Sequence, residues 1–410
     1  MKNKNIQILL FTRIMSNIGD SLYFIGTMWF VKEIAENPIW IGIIGFLIML
    51  PVVLQIFFGP FIDYFSKKNI LMLATGGQAL IFTIITALYY MDILKLAVLV
   101  CLIFVASLLS QLSYPTETSL IPELIPNNQL TRVNSVFSFT YSSLDLICNA
   151  VAGILLTIVG IGIFYAYNAV AFCIISAIVW FFLKIPVLKN KKSTISVSKK
   201  ISFSKYIDDF KEGLNCLWKL KTLRNILISF TFVNLLVCLS IGILPIISDS
   251  SEKYGFWMTA ISAGMILGTM LINTFERRNL RILMILFPFI SGVFWIISSI
   301  LSSIYFILSL ISFSISWAML GMISVLLQTI IQVNIPEEYL GRGNTVVSAV
   351  LGLLSPLGYL LGGIVIQFIP STWIFVISGL SLVILSIYYL VNPLFKKLVL
   401  VDRKFETDIS

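Results

Sequence analysis

A ten-residue motif occurs twice in this chain and decides the fold: residues 125–134 read IPNNQLTRVN, and residues 335–344 read IPEEYLGRGN. Five of the ten positions are identical, and the two copies lie 210 residues apart. Further identities follow at the same offset: Ser138 with Ser348, Leu144 with Leu354, Gly153 with Gly363, and Ile154 with Ile364. A repeat that keeps one register over such a distance predicts two parallel copies of one structural unit.

Long apolar runs fill almost all of the chain around these motifs. Of the 410 residues, 58% are hydrophobic and only 11% are charged, and the mean hydropathy is +0.99. A soluble protein of this length needs far more charge to cover its surface. The sequence therefore predicts an all-α membrane protein with twelve transmembrane helices in two six-helix bundles. The predicted spans are residues 8–32, 39–62, 69–90, 95–116, 133–158, 161–183, 224–247, 256–275, 281–301, 304–329, 344–367 and 372–393.

One long polar connection divides the chain into its predicted parts. These are an N-terminal bundle over 1–184, a linker over 185–222, a C-terminal bundle over 223–395 and a cytoplasmic tail over 396–410. The linker begins with a basic stretch and continues with apolar residues at helical spacing from 207 to 218. This spacing predicts an amphipathic helix on the inner membrane surface. A plain tether between the halves is the alternative for the basic stretch.

The net charge of +9 is distributed unevenly among the predicted connections. With both termini in the cytoplasm, the outer connections hold only Lys32, Lys95 and Lys253, and the other 25 of the 28 basic residues lie at or near the inner face. This bias predicts a multi-pass protein of the cell membrane with both termini cytoplasmic. It makes the lipid bilayer, rather than nucleic acid, the expected partner, and we expect a monomer.

Carboxylates inside apolar runs are the sharpest chemical signal. Asp20 and Asp145 lie near the middle of predicted helices 1 and 5, and each is a candidate proton-coupling group. A charged residue at mid-membrane costs about 2.5–3.5 kcal/mol on insertion scales, so it usually faces a cavity or a partner. A hydrogen bond between packed helices is the alternative role. Glu117, near the inner end of helix 4, is a third candidate, with an interfacial position as its alternative.

Arg13 shares helix 1 with Asp20, in an apolar run that lacks a cleavage site and is predicted to be a retained span. Seven residues separate the two, about 10 Å along a helix, which is too far for easy direct pairing. We therefore expect Arg13 to extend to the inner surface.

Several kinds of chemistry are absent from the sequence. There is no histidine, and the five cysteines show no paired spacing, so we expect no metal site and no cofactor. No phosphate-binding glycine-rich loop with a lysine and no Gly-x-Ser-x-Gly turn occurs. The chain is predicted not to be an enzyme, and any proton chemistry must use carboxylates.

The end of predicted helix 2 reads GPFIDYFSKK over residues 59–68. It resembles the Gly-x-x-x-Asp-Arg-x-Gly-Arg-Arg signature of the major facilitator superfamily, although Tyr64 replaces the arginine and Ser66 the second glycine. Segments around 115–135, 336–342 and 355–363 resemble the macrolide-efflux branch, which consists of drug:proton antiporters. The resemblance implies a conformational latch formed by Gly59, Asp63, Arg132, Arg342 and Asn344.

The same resemblance implies a central cavity lined largely by helices 1, 4, 7 and 10. The side chains that these helices offer to a substrate are Tyr23, Phe24, Gln111, Tyr114, Asn234, Trp317 and Gln328. An apolar, aromatic wall with few polar points suits a bulky amphipathic compound better than a sugar. On helix 11, a proline and glycine cluster over 356–363 is predicted to bend the helix and to allow close packing.

These observations predict a secondary active transporter that exports hydrophobic or amphipathic small molecules in exchange for protons, by alternating access. Uptake or facilitated diffusion is an alternative, because helix 5 lacks the proline and most of the glycines typical of related exporters. A non-transporting membrane sensor that binds a partner through residues 185–222 is a third possibility.

Overall fold

The computed structural model describes residues 3–58, 62, 65–183, 211, 214–215, 218–275, 279–334 and 340–397. These residues form helices joined by short connections. The helices are α1 Lys4–Ile34, α2 Ile39–Leu54, α3 Lys67–Tyr90, α4 Leu96–Leu124, α5 Asn127–Phe182, α6 Lys221–Gly242, α7 Ser251–Leu271, α8 Leu280–Leu301, α9 Phe306–Asn334, α10 Leu340–Gly352, α11 Ser355–Val365 and α12 Ser371–Val391. A short helix, Leu244–Ile247, and three 3₁₀ turns at Gln55–Phe57, Ile272–Phe275 and Pro393–Lys397 complete the elements.

Nine of the helical segments within the described ranges are long and apolar enough to cross a membrane, and Ile39–Leu54 is a shorter apolar helix. The chain is an all-helical, multi-pass membrane protein, as its composition predicts. Most of the predicted linker over 185–222, with its amphipathic helix, and nearly all of the tail over 396–410 lie outside the described residues.

Gly160 breaks the 56 residues of α5 into two helices. Its φ of 75° is the one positive value among the described glycines, and it lies between predicted spans 5 and 6. L-residues with a side chain rarely adopt this backbone conformation, whereas glycine adopts it without a steric cost. The break therefore follows directly from the sequence.

Residue contacts divide the chain into two compact units. The first consists of Met1–Phe30 and Leu50–Asp208, and the second of Val31–Met49 and Asp209–Ser410. In the first unit, the rings of Phe82 and Phe172 stack with their centroids 5.8 Å apart and join α3 to the second part of α5. The domain boundaries near residues 184, 222 and 395 stay a prediction.

Hydroxyl groups and small residues join the helices of the second unit. Ser291 pairs with Ser316 at 2.9 Å, and Ser298 pairs with Ser309 at 3.1 Å, which makes a ladder between α8 and α9. The predicted bend of helix 11 is confirmed as a break between α10 and α11. Gly362 lies close to the backbone of α6.

The contact between α7 and α9 in this unit leaves no room for a side chain at Gly268. A methyl group there would overlap the carbonyl oxygen of Ala318. We expect Gly268→Ala to lower the free energy of unfolding by about 1–3 kcal/mol, because two backbones would have to separate. Unfolding in SDS, followed by circular dichroism, measures this. Gly352→Ala is the control and should be neutral, because nothing lies within 4 Å of its added methyl group. Equal stability of the two variants would contradict the packing described.

Candidate functional site

Polar side chains line one face of α1 and the facing side of α4, both within the first unit. We call this set the α1–α4 polar seam; it consists of Arg13, Asn17 and Asp20 on α1 and Ser110, Ser113 and Glu117 on α4. Spacings of three and four residues place side chains on one face of a helix. Arg13 contacts Glu117 and Asp20 contacts Ser110, so the two helices run antiparallel with matched register.

Arg13 and Glu117 form a buried ion pair at one end of the seam. The Nε of Arg13 donates to Oε2 of Glu117 at 2.7 Å, and Nη2 lies 2.5 Å from the same oxygen. The two side chains are only 5% and 4% exposed. The prediction that Arg13 extends to the inner surface is wrong, because Glu117 supplies its counter-charge inside the protein. The Cζ of Arg13 also lies 4.9 Å from the ring centroid of Tyr114, in cation–π geometry.

Asp20 lies at the other end of the seam and has only part of its hydrogen bonding satisfied. The Ser110 hydroxyl donates to Oδ2 at 3.2 Å. Oδ1 is buried and has no hydrogen-bond partner among the described residues. A buried carboxylate oxygen without a partner is costly, and a proton or a cationic group would remove that cost.

Asn17 lies between the ion pair and Asp20 on the same face of α1. It is 5% exposed, and its Nδ2 is buried without a hydrogen-bond acceptor in the described part of the chain. Sequence reasoning missed Asn17, Ser110 and Ser113. The signal was present, because residues 13, 17 and 20 of α1 mirror the spacing of 117, 113 and 110 of α4.

The charges of the seam do not cancel when all three groups are ionised. Arg13 contributes one positive charge, and Glu117 and Asp20 contribute two negative charges. Arg13 forms its ion pair with Glu117, so the net negative charge of the seam falls on Asp20, whose recorded hydrogen bond is to a neutral hydroxyl. An uncompensated charge inside a membrane protein favours uptake of a proton or a cationic ligand. The arrangement can therefore bind one monovalent cation at Asp20.

The predicted cavity residues of the first unit differ in their surroundings. Tyr23 is buried, and its ring packs against Phe82 with centroids 5.2 Å apart. Phe24 and Gln111 are half-buried, whereas Tyr114 is 43% exposed. The ring of Tyr114 contacts the Arg13 guanidinium of the seam.

The predicted cavity residues of the second unit have different surroundings, and their role in a cavity stays a prediction. Asn234 donates from Nδ2 to the Leu351 carbonyl at 2.9 Å and to the Ser355 hydroxyl at 2.8 Å, so it joins α6 to the break between α10 and α11. Trp317 is half-buried, with its ring centroid 5.8 Å from that of Trp295. Gln328 is exposed.

The remaining predicted site residues cannot be placed by their side chains. Gly59 and Asp63 lie outside the described residues, and the side chains of Asp145, Arg132, Arg342 and Asn344 also lie outside the part described. Their roles in coupling and in the latch stay predictions.

Comparison with known proteins decides the family. A family model described as transmembrane secretion effector, of the major facilitator superfamily, matches residues 1–400. The chain belongs to this family. It is a membrane transporter of small molecules and not an enzyme.

Relatives within the superfamily share low sequence identity with the chain, but the alignments cover most of its length. An uncharacterized MFS-type transporter of Bacillus subtilis (strain 168), YfiS, is 26% identical over 412 residues, covering 95% of this chain and 93% of the relative. Macrolide efflux protein A of Streptococcus pyogenes is 24% identical over 357 residues, covering 84% of each chain. The crystal structure of the nucleoside transporter NupG superposes with a TM-score of 0.67 at 13% identity, covering 96% of this chain and 99% of NupG. At that identity, the likeness to NupG is one of fold.

Proposed function

We propose that this family member is a proton-coupled exporter of hydrophobic or amphipathic small molecules that works by alternating access. Similarity to a macrolide efflux protein over 84% of the chain supports export. Counting α5 as two spans at Gly160, and α10 with α11 as one, supports the twelve-span fold. The distribution of Lys and Arg supports the cell membrane with both termini cytoplasmic.

The observation that carries the coupling proposal is the buried Oδ1 of Asp20, which has no partner among the described residues. An ionised Asp20 binds the cationic group of a substrate at this oxygen. When a proton reaches the same oxygen, the negative charge disappears and the substrate is released. Proton and substrate thus compete for one carboxyl group. Arg13 and Glu117 neutralise each other and leave Asp20 as the exchanging group.

The other predicted roles enter the proposal unchanged. Asp145 and Glu117 are further candidates for proton handling. The cavity contacts and the latch at Gly59, Asp63, Arg132, Arg342 and Asn344 are those that the family resemblance implies.

Inverted membrane vesicles containing the overexpressed protein test the proposal. With the vesicle interior acidified, we expect a cationic dye such as ethidium to accumulate inside, and collapse of the pH gradient by nigericin should release it. Accumulation only with the opposite gradient would indicate uptake instead of export. Gradient-independent equilibration would indicate facilitated diffusion, and no flux of any probe would favour the non-transporting alternative.

A further inference from the structure

Asn17 Nδ2 is a buried donor without an acceptor among the described residues, and Asp20 Oδ1, on the same helix, is a buried acceptor without a donor there. Arg13 Nη2 is the other buried seam nitrogen without a hydrogen-bond acceptor, but it lies against Oε2 of Glu117 in the ion pair. Because α1 and α4 are antiparallel and pair Arg13 with Glu117 and Asp20 with Ser110, Asn17 lies at the same height as Ser113. Both residues are 5% exposed. The Arg13 and Glu117 side chains are engaged with each other, and the Ser110 hydroxyl is engaged with Asp20.

The free donor and the free acceptor are neighbours on α1. Asn17 and Asp20 are three residues apart, which places their Cβ atoms about 5–6 Å from each other. Leaving a buried polar group unpaired costs about 1–3 kcal/mol. A ligand that accepts from Asn17 Nδ2 and donates to Asp20 Oδ1 satisfies both groups at once.

We propose that Asn17 and Asp20 form a two-point site for the head group of an amphipathic amino alcohol. The protonated amine donates to Oδ1 of Asp20, and the oxygen on the neighbouring carbon accepts from Nδ2 of Asn17. The negative charge of Asp20 opposes a carboxylate in this position, and a neutral alcohol supplies no positive charge. Asn17 is thereby a specificity-determining residue. This inference deepens the proposed function and rests on it, because it names the substrate class of the same site.

Equilibrium binding to the purified full chain in nanodiscs, without any pH gradient, tests the site. The probes are propranolol, a naphthyl amino alcohol, and its analogue that lacks the hydroxyl group. One hydrogen bond contributes about 0.5–1.5 kcal/mol, so we expect the wild-type protein to bind propranolol about fivefold more tightly than the analogue. In Asn17→Ala, the affinity for propranolol should fall to the affinity for the analogue, and the affinity for the analogue should not change.

Thr75→Ala is the control, because Thr75 is a buried polar residue of the same unit whose hydroxyl donates to the Leu71 carbonyl of its own helix. It should keep the hydroxyl preference. If Asn17→Ala does not fold, Asn17→Leu keeps a similar size, removes the donor without adding a charge and should abolish the preference. Equal affinities in the wild type, no binding of either amine, or equal weakening of both in the Asn17 variants would overturn the site. A preserved preference without vesicle transport would instead reject the proposed function and leave the site standing.

Discussion

Glu117→Leu is expected to lower the free energy of unfolding by about 3–5 kcal/mol, because it leaves the Arg13 guanidinium buried without its counter-charge. The two side chains are 5% and 4% exposed, so water cannot solvate the remaining charge. The measurement is reversible unfolding in SDS, followed by circular dichroism, on protein purified in the same detergent.

A double variant separates the charge effect from packing. In Arg13→Met combined with Glu117→Leu, both charges disappear together, and similar side-chain volume remains. Replacement of a buried ion pair by apolar residues is often neutral or stabilising, so most of the lost stability should return. If the double variant is as unstable as the single one, the loss arises from packing and not from the unpaired charge.

An exposed ion pair of the same chain is the control. Lys253 Nζ lies 2.5 Å from Asp249 Oδ2 one turn earlier, and the two side chains are 43% and 80% exposed. Hydrogen bonding and attraction to Lys253 lower the pKa of Asp249. Solvent screens such a pair strongly, so Asp249→Asn should leave unfolding unchanged within error.

The fold was predictable because a bilayer imposes simple rules on a sequence. Apolar runs of about 20 residues must form helices, since every backbone polar group needs a partner in lipid. The glycine between predicted spans 5 and 6 has the positive φ at which α5 breaks, and the proline of predicted helix 11 lies just inside α11, after the break that follows α10. These features depend on local backbone chemistry, which the sequence carries explicitly.

The partner of Arg13 was not predictable by the same reasoning. Along α1 alone, seven residues separate Arg13 from Asp20, and this spacing gives no partner for Arg13. The true partner, Glu117, lies 104 residues away on α4 and meets Arg13 only because the two helices are antiparallel in one register. Recognising the mirrored spacing of charges and hydroxyls on the two helices would have found it.

Family resemblance names the helices that line a cavity, but it does not give the rotation of each helix. Tyr23 lies on predicted cavity helix 1, and its ring packs against Phe82 of α3. Asn234 lies on predicted cavity helix 7, and its amide joins α6 to the break that follows α10. Which side of a helix a residue occupies depends on contacts between helices, and these are not local in sequence.

Asp20→Asn is expected to abolish accumulation driven by a pH gradient. Exchange of one proton for one cationic substrate across a difference of about two pH units stores about 2.7 kcal/mol, which supports accumulation of about a hundredfold. The amide has nearly the same shape and keeps a possible contact with the Ser110 hydroxyl, but it neither binds a proton nor carries a negative charge. The variant should therefore allow equilibration of ethidium at most, measured in inverted vesicles with protein amounts matched by immunoblot.

Asp92→Asn provides the matched control, since it makes the same acid-to-amide change at an exposed position. Its backbone φ of 56° is one that asparagine also tolerates, so it should fold and accumulate ethidium like the wild type. Accumulation by Asp20→Asn at the wild-type level would show that another group carries the proton, and Asp145 would then be the next carboxylate to replace. Loss of ethidium accumulation in Asp20→Asn but not in Asp92→Asn would assign the proton exchange to the Asp20 carboxyl group, whose Oδ1 has no partner among the described residues. The two variants make the same chemical change and differ only in its position.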